Sequence, residues 1–279
     1  MTQQWFPGHM AKAKKDLHAT LSQVDIVIEL ADARAPRLSQ NPMLLAITRL
    51  KERIVVLNKA DLADPVLTKQ WVNVLDKPDA PCFVLSSIQK NTVKPFIQKV
   101  VNYCIGVDEK RGRKRPKPFY SACIIGIPNI GKSSLINHIV DKPLAKVENK
   151  PGVTRQQRWI DVHPKLKLLD TPGILWPRIE TDLEKQMLFL LGCYADPHFD
   201  VEEAALTLIS LCNTNYPTLF KDQFESPSND PLDVMGCVAK RFGCLQKGGL
   251  PDLQKASLKL IQLFQTGKLG QLSLEKPTP

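Results

Sequence analysis

The sequence predicts an α/β fold: a mostly parallel sheet with helices on both faces, followed by a small all-α domain. Three observations predict it. Short apolar runs rich in β-branched residues alternate with helix-period segments over the first 178 residues, the pattern of parallel strands joined by crossover helices. Beyond about Ile179 the strand-like runs stop and the apolar spacing turns helical. Between a strand-like run and a helical one, Gly126-Ile127-Pro128-Asn129-Ile130-Gly131-Lys132-Ser133 fits G-x-x-x-x-G-K-S, the loop that wraps phosphates where a strand feeds a helix. The expected domains are therefore 1–178 and 179–279.

Taken in order, Gly8–Ser22 predicts a short helix with Met10, Leu17 and Leu21 on one side and Lys12, Lys14 and Lys15 exposed. Val24–Leu30 is the first expected strand, Pro36 and Pro42 break the chain, and Met43–Leu50 is helical. Strands at Arg53–Leu57 and Cys82–Ser86 flank a helix over Pro65–Leu75, and Asn91–Cys104 forms the next helix. From Gly106 to Pro118 the pattern breaks in the run Lys110-Arg111-Gly112-Arg113-Lys114-Arg115-Pro116-Lys117. That run reads as a solvated tether or as an RNA-touching loop. Phe119–Gly126 is the strand before the phosphate loop and Lys132–Val140 the helix after it. Lys146–Gln157 reads as a mobile loop, with strands near Arg158–Val162 and Leu166–Asp170. Helices are expected at Met187–Gly192, Glu202–Cys212 and Leu253–Phe264, the last started by Gly249-Leu250-Pro251 and ended by Gly267.

At 279 residues and 43% apolar, the chain can bury a large core. Its 38 basic and 28 acidic side chains give a net charge of +10, which favours a polyanionic partner. The excess is uneven: residues 1–178 carry 29 basic and 15 acidic groups, 180–233 carry 2 and 11, and 240–276 carry 7 and 2. None of the seven cysteines stands in C-x-x-C, so free, mostly buried thiols in a reducing compartment are expected. No apolar stretch approaches the ~18 residues of a membrane span and no signal peptide is visible, so a cytoplasmic protein is expected.

Two more motifs set the chemistry. Asn58-Lys59-Ala60-Asp61 follows the apolar run Ile54–Leu57 and reads as a guanine-specificity loop at a strand end. The Asp61 carboxylate accepts from guanine N1–H and the exocyclic amine together; adenine offers neither donor, which excludes ATP. Asn58 would tie this loop to the phosphate loop, and Lys59 would lie along the base. Ser86-Ser87-Ile88, 28 residues past Asn58, stands where a second base-contacting loop usually reads Ser-Ala-Lys or Ser-Ala-Leu; Ser87 should act through its backbone N–H, leaving its hydroxyl idle. In the phosphate loop Asn129, Ile130, Gly131 and Ser134 line the wrap, Lys132 bridges the β- and γ-phosphates, and Ser133 puts its hydroxyl on Mg²⁺. Asp170-Thr171-Pro172-Gly173 is a D-x-x-G turn: Asp170 would hold Mg²⁺ through water and the Gly173 amide would bond the γ-phosphate. Thr154, 21 residues after Ser133, is the candidate switch threonine on Mg²⁺. GTP, GDP and Mg²⁺ are the expected ligands.

The order is unusual. The base reader precedes the phosphate loop by 65 residues, whereas an ordinary GTPase runs phosphate loop, switch, D-x-x-G and base reader. The chain is a circular permutation, and the run at 110–117 is where the permutation needs a tether. After Gly173 stands Ile174, where many GTPases put a water-orienting glutamine, so intrinsic hydrolysis should be slow. His9 could supply that group; by composition alone it reads rather as a surface histidine on a terminal arm.

The permuted order, the opening Trp5-Phe6-Pro7-Gly8-His9-Met10-Ala11-Lys12-Ala13, Asp32-Ala33-Arg34-Ala35-Pro36, Gly126–Ser134 and Asp170–Gly173 together resemble the ribosome biogenesis GTPase A (RbgA/YlqF) type. So do Gly248-Gly249-Leu250-Pro251-Asp252 and Phe264–Gly270 near the end, so the resemblance runs nearly the whole length. It implies a bacterial factor for the large (50S) ribosomal subunit, with rRNA and ribosomal proteins as partners; no membrane partner and a monomer are expected. It implies that His9 is catalytic, beside the catalytic candidates Lys132 and Thr154 read from the motifs, and that Asn129 marks a potassium-stimulated GTPase, with K⁺ as a further ligand. It also implies that 179–279 is an rRNA-binding domain, with the basic groups of 240–276 and Lys12, Lys14 and Lys15 on rRNA. Arg241-Phe242-Gly243-Cys244 departs from the Arg-Gly of related chains. The expected function is a GTPase for a late step of 50S assembly, binding the immature subunit in its GTP form and leaving after hydrolysis. An RNA-binding module that holds GTP without significant turnover, and a signalling GTPase awaiting a protein activator, are the alternatives.

Overall fold

The computed structural model describes residues 17–40, 46–48, 51–140, 158–170, 179 and 181–277. The chain forms two compact units, one of residues 1–60 and 68–178, the other of 61–67 and 179–279.

The first unit is built on a six-stranded sheet of order β3-β2-β1-β4-β6-β5. Its strands are β1 (Ile26–Asp32), β2 (Glu52–Asn58), β3 (Cys82–Val84), β4 (Tyr120–Ile125), β5 (Arg158–His163) and β6 (Leu166–Asp170). All neighbours run parallel except β5, which pairs antiparallel with β6 at the edge. β1 and β4 are buried at every position, as strands covered on both faces must be, and their near-continuous apolar runs reflect that burial. Between them run α1 (Pro36–Ser39), α2 (Pro65–Leu75), α3 (Lys90–Lys110) and α4 (Lys132–Val140). Leu17, Leu21, Val24 and Val27 pack with Cys123, Ile125 and Leu169 on one face of the sheet.

Expected bounds hold for α2, α4 and β6 and shift elsewhere. β1 begins and ends two residues later than the apolar run alone suggests, because the ladder to β2 continues to Asp32 opposite Asn58. α3 continues six residues past Cys104, through Gly106, to Lys110. Tertiary packing overrides the glycine: Val107 lies beside Cys104, and Asp108 is buried and accepts from Tyr120 Oη at 2.9 Å and Lys117 N–H at 3.3 Å. The basic run after α3 is a pinned tether. Arg111 pairs with Glu52 at 2.6 Å, Arg113 with Asp108 at 3.2 Å, and Lys117 with Asp25. Three of its six cations are thus engaged at the starts of β1 and β2 and the end of α3.

The second unit is helical: α5 (Asp182–Leu190), α6 (Val201–Asn215), α7 (Leu219–Phe224), α8 (Pro231–Arg241) and α9 (Leu253–Gln265). Its caps are legible. Thr181 and Glu184 form a reciprocal capping box, Asp200 and Asp230 each accept from two first-turn amides, and Asp252 accepts from Lys255 N–H. Asp252, and not the Gly249-Leu250-Pro251 run, therefore starts α9. Gly267, at φ +72°, lies just past its end. α7 and α8 were not expected from the sequence; α7 is six residues long, too short for a periodic signal, whereas α8 has a regular start, Asp230 capping a proline at the first helical position. Asp61–Leu67 belongs to this unit through Leu272 N–H to Leu62 O at 3.1 Å and Asp64 N–H to Ser273 Oγ at 3.2 Å.

All seven cysteines are free. Burial pushes the Cys82, Cys104, Cys123 and Cys212 thiols up to about 12, so they are protonated, unreactive core groups at neutral pH. Among the described residues no helix is long and apolar enough to cross a membrane. The expected helix over Met43–Leu50 is described only at 46–48, where it is helical. Gly8–Asp16 and the loop at Lys146–Gln157 lie outside the described residues.

Candidate functional site

The loops that carry the motifs all leave the C-terminal ends of parallel strands, where ligands of open α/β sheets bind. β4 runs into the phosphate loop, β2 into Asn58–Asp61, β3 toward Ser86 and Ser87, β1 into Asp32–Pro36, and β6 ends at Asp170.

Asn58 is the keystone. It is fully buried, and its amide Nδ2 donates to Ile130 O at 2.8 Å and to Ser87 Oγ at 3.2 Å, while its Oδ1 accepts from Ser87 N–H at 2.8 Å. One side chain thereby fastens the base-reading loop to the phosphate loop, as expected, and to the Ser86-Ser87 loop as well. The Ser87 hydroxyl, expected to be idle, accepts one of these bonds; alanine would leave that bond unmade. Ala60 N–H donates to Leu85 O at 3.2 Å and closes the same corner.

The phosphate loop has the backbone that glycine permits. Gly131 sits at φ +105°, where an added Cβ would stand 2.3 Å from Asn58 Nδ2; at Gly126, φ +153°, it would stand 2.8 Å from Leu30 O. Asn129 is in the left-handed region at φ 57°. Ile127 and Ile130 are buried beneath the loop, leaving its polar side for phosphate. Lys132 Nζ donates to the carbonyls of Gly126 and Ile127, both at 2.8 Å. Ser133 is exposed in the first turn of α4 and Ser134 half-buried.

Lys59 lies at φ 59° and is 20% exposed, and its ammonium meets Asp32 Oδ2 at 3.1 Å. Asp32 and Arg34 are essentially inaccessible, at 0% and 1%. Arg34 grips the Asp32 carboxylate with Nε on Oδ1 at 2.9 Å and Nη2 on Oδ2 at 2.8 Å, and its backbone N–H adds a third bond to Oδ1 at 3.0 Å. Asp32 N–H donates to Ser39 Oγ at 2.7 Å, and Ser39 donates to Ala35 O at 2.6 Å, closing the turn. Burial alone would raise the Asp32 carboxyl. The charges of Arg34 and Lys59 and the bonds from Arg34 outweigh it and hold the group far below the usual carboxylate range. Asp32 therefore stays ionised beside Lys59. The sequence marks Asp32-Ala33-Arg34-Ala35-Pro36 as a motif, but not its contact with Lys59, since a pairing across two strand ends leaves no local signal.

Asp61 follows Ala60 into the segment that packs within the second unit, where its carbonyl accepts from Gln271 Nε2 at 3.2 Å. Asp170 closes β6. His9, Thr154 and Gly173, and with them Ile174, lie outside the described residues, as does the Asp170 side chain.

The permuted order of these loops on one sheet defines a circularly permuted P-loop GTPase. A family model described as a 50S ribosome-binding GTPase matches residues 121–214. Ribosome biogenesis GTPase A of Bacillus licheniformis is 38% identical over 99% of both chains. Mitochondrial ribosome-associated GTPase 1 of Mus musculus is 32% identical over 98% of this chain and 90% of its own. Among solved structures, a GDP-bound YlqF superposes with a TM-score of 0.70 at 25% identity, over 94% of this chain and 99% of that one. A GNP-bound YlqF from T. maritima gives 0.67 at 25% identity over 95% and 98%. The chain belongs to the ribosome biogenesis GTPase A family: it is a guanine-nucleotide-binding, GTP-hydrolysing enzyme of ribosome assembly.

Proposed function

We propose that this GTPase acts at a late step of large-subunit assembly, binding the immature subunit with GTP in place and leaving after hydrolysis. The observation that carries this is the Asn58 interlock, which joins base reader and phosphate loop in permuted order, in a chain that matches ribosome biogenesis GTPase A over 99% of its length.

Each residue has a distinct task. Backbone N–H groups from Asn129 to Ser134 wrap the α- and β-phosphates at the start of α4, where the helix dipole favours negative charge. Lys132 exchanges its two carbonyl partners for β- and γ-phosphate oxygens, a stronger, charge-assisted pairing. Asp61 reads the guanine edge, and Lys59, held by Asp32, lies along the base. The cradle fits the nucleotide because Gly126 and Gly131 leave space that a Cβ would fill. The oxygen donors Ser133, Thr154 and Asp170 suit Mg²⁺, which would neutralise charge on the β- and γ-phosphates. Asn129, exposed and left-handed in the loop, would offer its side-chain oxygen to K⁺, which would supply positive charge beside the phosphates. His9 orients the attacking water, the task that Ile174 cannot perform. The subunit stimulates turnover by ordering His9 and the switch segments, and a monomer suffices for this.

GTP turnover in potassium buffer, with and without purified large subunits, beside His9→Ala, tests the reading. Strong stimulation by large subunits that His9→Ala abolishes is expected. No stimulation, with GTP still bound tightly, would sink it in favour of an RNA-binding module that holds GTP without using it.

A further inference from the structure

The helical unit carries a groove of about 310 Å³ lined by Phe224, Arg241, Phe242, Leu263 and Lys268, with Asp222 its one acidic lining residue. Phe224 is buried at its floor, and Phe242, the residue that caps α8, is 37% exposed. The two rings meet edge to face with centroids 6.2 Å apart. A cation stands at each: the Arg241 guanidinium 6.0 Å from the Phe224 centroid and the Lys259 ammonium 4.9 Å from that of Phe242. An exposed ring with long-armed cations around it, in a segment holding 7 basic and 2 acidic side chains, has the composition of a single-stranded nucleic-acid platform: an aromatic face for a base and cations for the phosphates beside it.

We propose that this groove takes one unpaired nucleobase of RNA, seated against Phe242, with the flanking phosphates on Arg241, Lys259 and Lys268. The proposal rests on the ribosomal reading above and deepens it by naming the kind of RNA. Charge complementarity selects a polyanion, and the aromatic ring selects one with flat, unstacked faces; an A-form duplex keeps its bases paired and stacked. The amine already at the Phe242 ring does not block the base. An exposed cation–π contact is worth a factor of roughly two to five, and a base stacked on an aromatic ring roughly five to a hundred. The base displaces the ammonium, which then has a phosphate to pair with.

The test uses the full-length protein and a short single-stranded RNA carrying one 2-aminopurine, whose fluorescence is quenched on stacking. The same strand with an abasic site at that position, and a duplex of equal charge, serve as controls. Quenching on binding is expected, with affinity falling about tenfold in Phe242→Leu and no change toward the duplex. Because Phe242 is partly exposed, this variant should fold, and unchanged GDP binding checks that it does. Lys259→Gln should lower the salt dependence of binding by about one phosphate contact. Equal affinity for the abasic strand, or Phe242→Leu binding as wild type while both proteins still sediment with large subunits, would overturn the proposal and leave the ribosomal reading standing. Failure of the wild type to bind large subunits would instead overturn that reading. Loss in Phe242→Leu of binding to isolated ribosomal proteins, with RNA binding intact, would assign the groove to a protein and overturn the proposal too.

Discussion

Asp32→Asn removes the negative charge from the buried cluster beside the base reader and leaves nearly everything else in place. The shape is unchanged, and one oxygen still accepts from Arg34. What is lost is the countercharge for a guanidinium only 1% exposed. Breaking a buried pair by removing one partner costs about 3–5 kcal/mol, because the remaining charge stays desolvated. That is a large part of the roughly 5–15 kcal/mol that stabilises a domain, and it corresponds to a melting temperature lower by roughly 6–20 °C for a unit of this size. The assay is thermal and guanidinium unfolding of wild type, Asp32→Asn, Arg34→Met and the double variant. The cycle should be strongly non-additive, the double variant losing less than the two single losses combined, since it strands no charge. The pH dependence has a defined sign. The folded Asp32 carboxyl lies below its ordinary value of 3.8, so its contribution is present above that value and is lost as pH falls below it. Wild type should therefore lose stability more steeply than Asp32→Asn below about pH 4. A single-variant loss under about 1 kcal/mol, or an additive cycle, would refute the account of this cluster as a tightly coupled ion pair.

Lys59→Met should leave stability within about 1 kcal/mol of wild type, because Arg34 still holds both Asp32 oxygens, while affinity for fluorescent GDP falls about tenfold by stopped-flow titration. Gly131→Ala should destabilise by about 2 kcal/mol or more, since its Cβ would displace the buried Asn58 amide, with a matching loss of nucleotide binding. At the tether, Arg111→Ala should cost less than about 1 kcal/mol, its side chain being 64% exposed. Asp108→Ala should cost more, leaving the Tyr120 hydroxyl and the Lys117 amide without their acceptor; urea unfolding distinguishes the two.

The placement of the phosphate-loop and N-K-x-D motifs was legible because each stands at a strand end. Gly126–Ser133 after a buried strand and Asn58–Asp61 after another leave little freedom about where a nucleotide goes, and Asn58 makes the expected bond across to Ile130. Legibility failed where long-range contacts decide. Gly106 reads as a break, yet α3 passes through it because Asp108 has partners nine and twelve residues on. Ser87 reads as a harmless change from alanine, yet its hydroxyl is used by a residue 29 positions away. Asp32 and Lys59 lie apart in the chain and meet only because β1 pairs in register with β2. Cross-strand partners of this kind are set by the sheet and leave no mark on either local sequence.

The permutation itself has a physical logic. A permuted sheet must be closed by a new connection, and that connection can disturb binding only if it falls among the site loops. Here it falls at the opposite end of the sheet. The tether's cations pair with Asp25 before β1, Glu52 at the start of β2 and Asp108 on α3, while the nucleotide loops leave the C-terminal ends of the same strands. The join can thus be fixed firmly without constraining the site. Six residues beyond Gly173 in the sequence, the chain passes to the helical unit. That unit takes in Asp61–Leu67 as well, the stretch that begins with the aspartate of the N-K-x-D motif. It is therefore continuous in the chain with both the Asn58–Asp61 loop and the D-x-x-G motif.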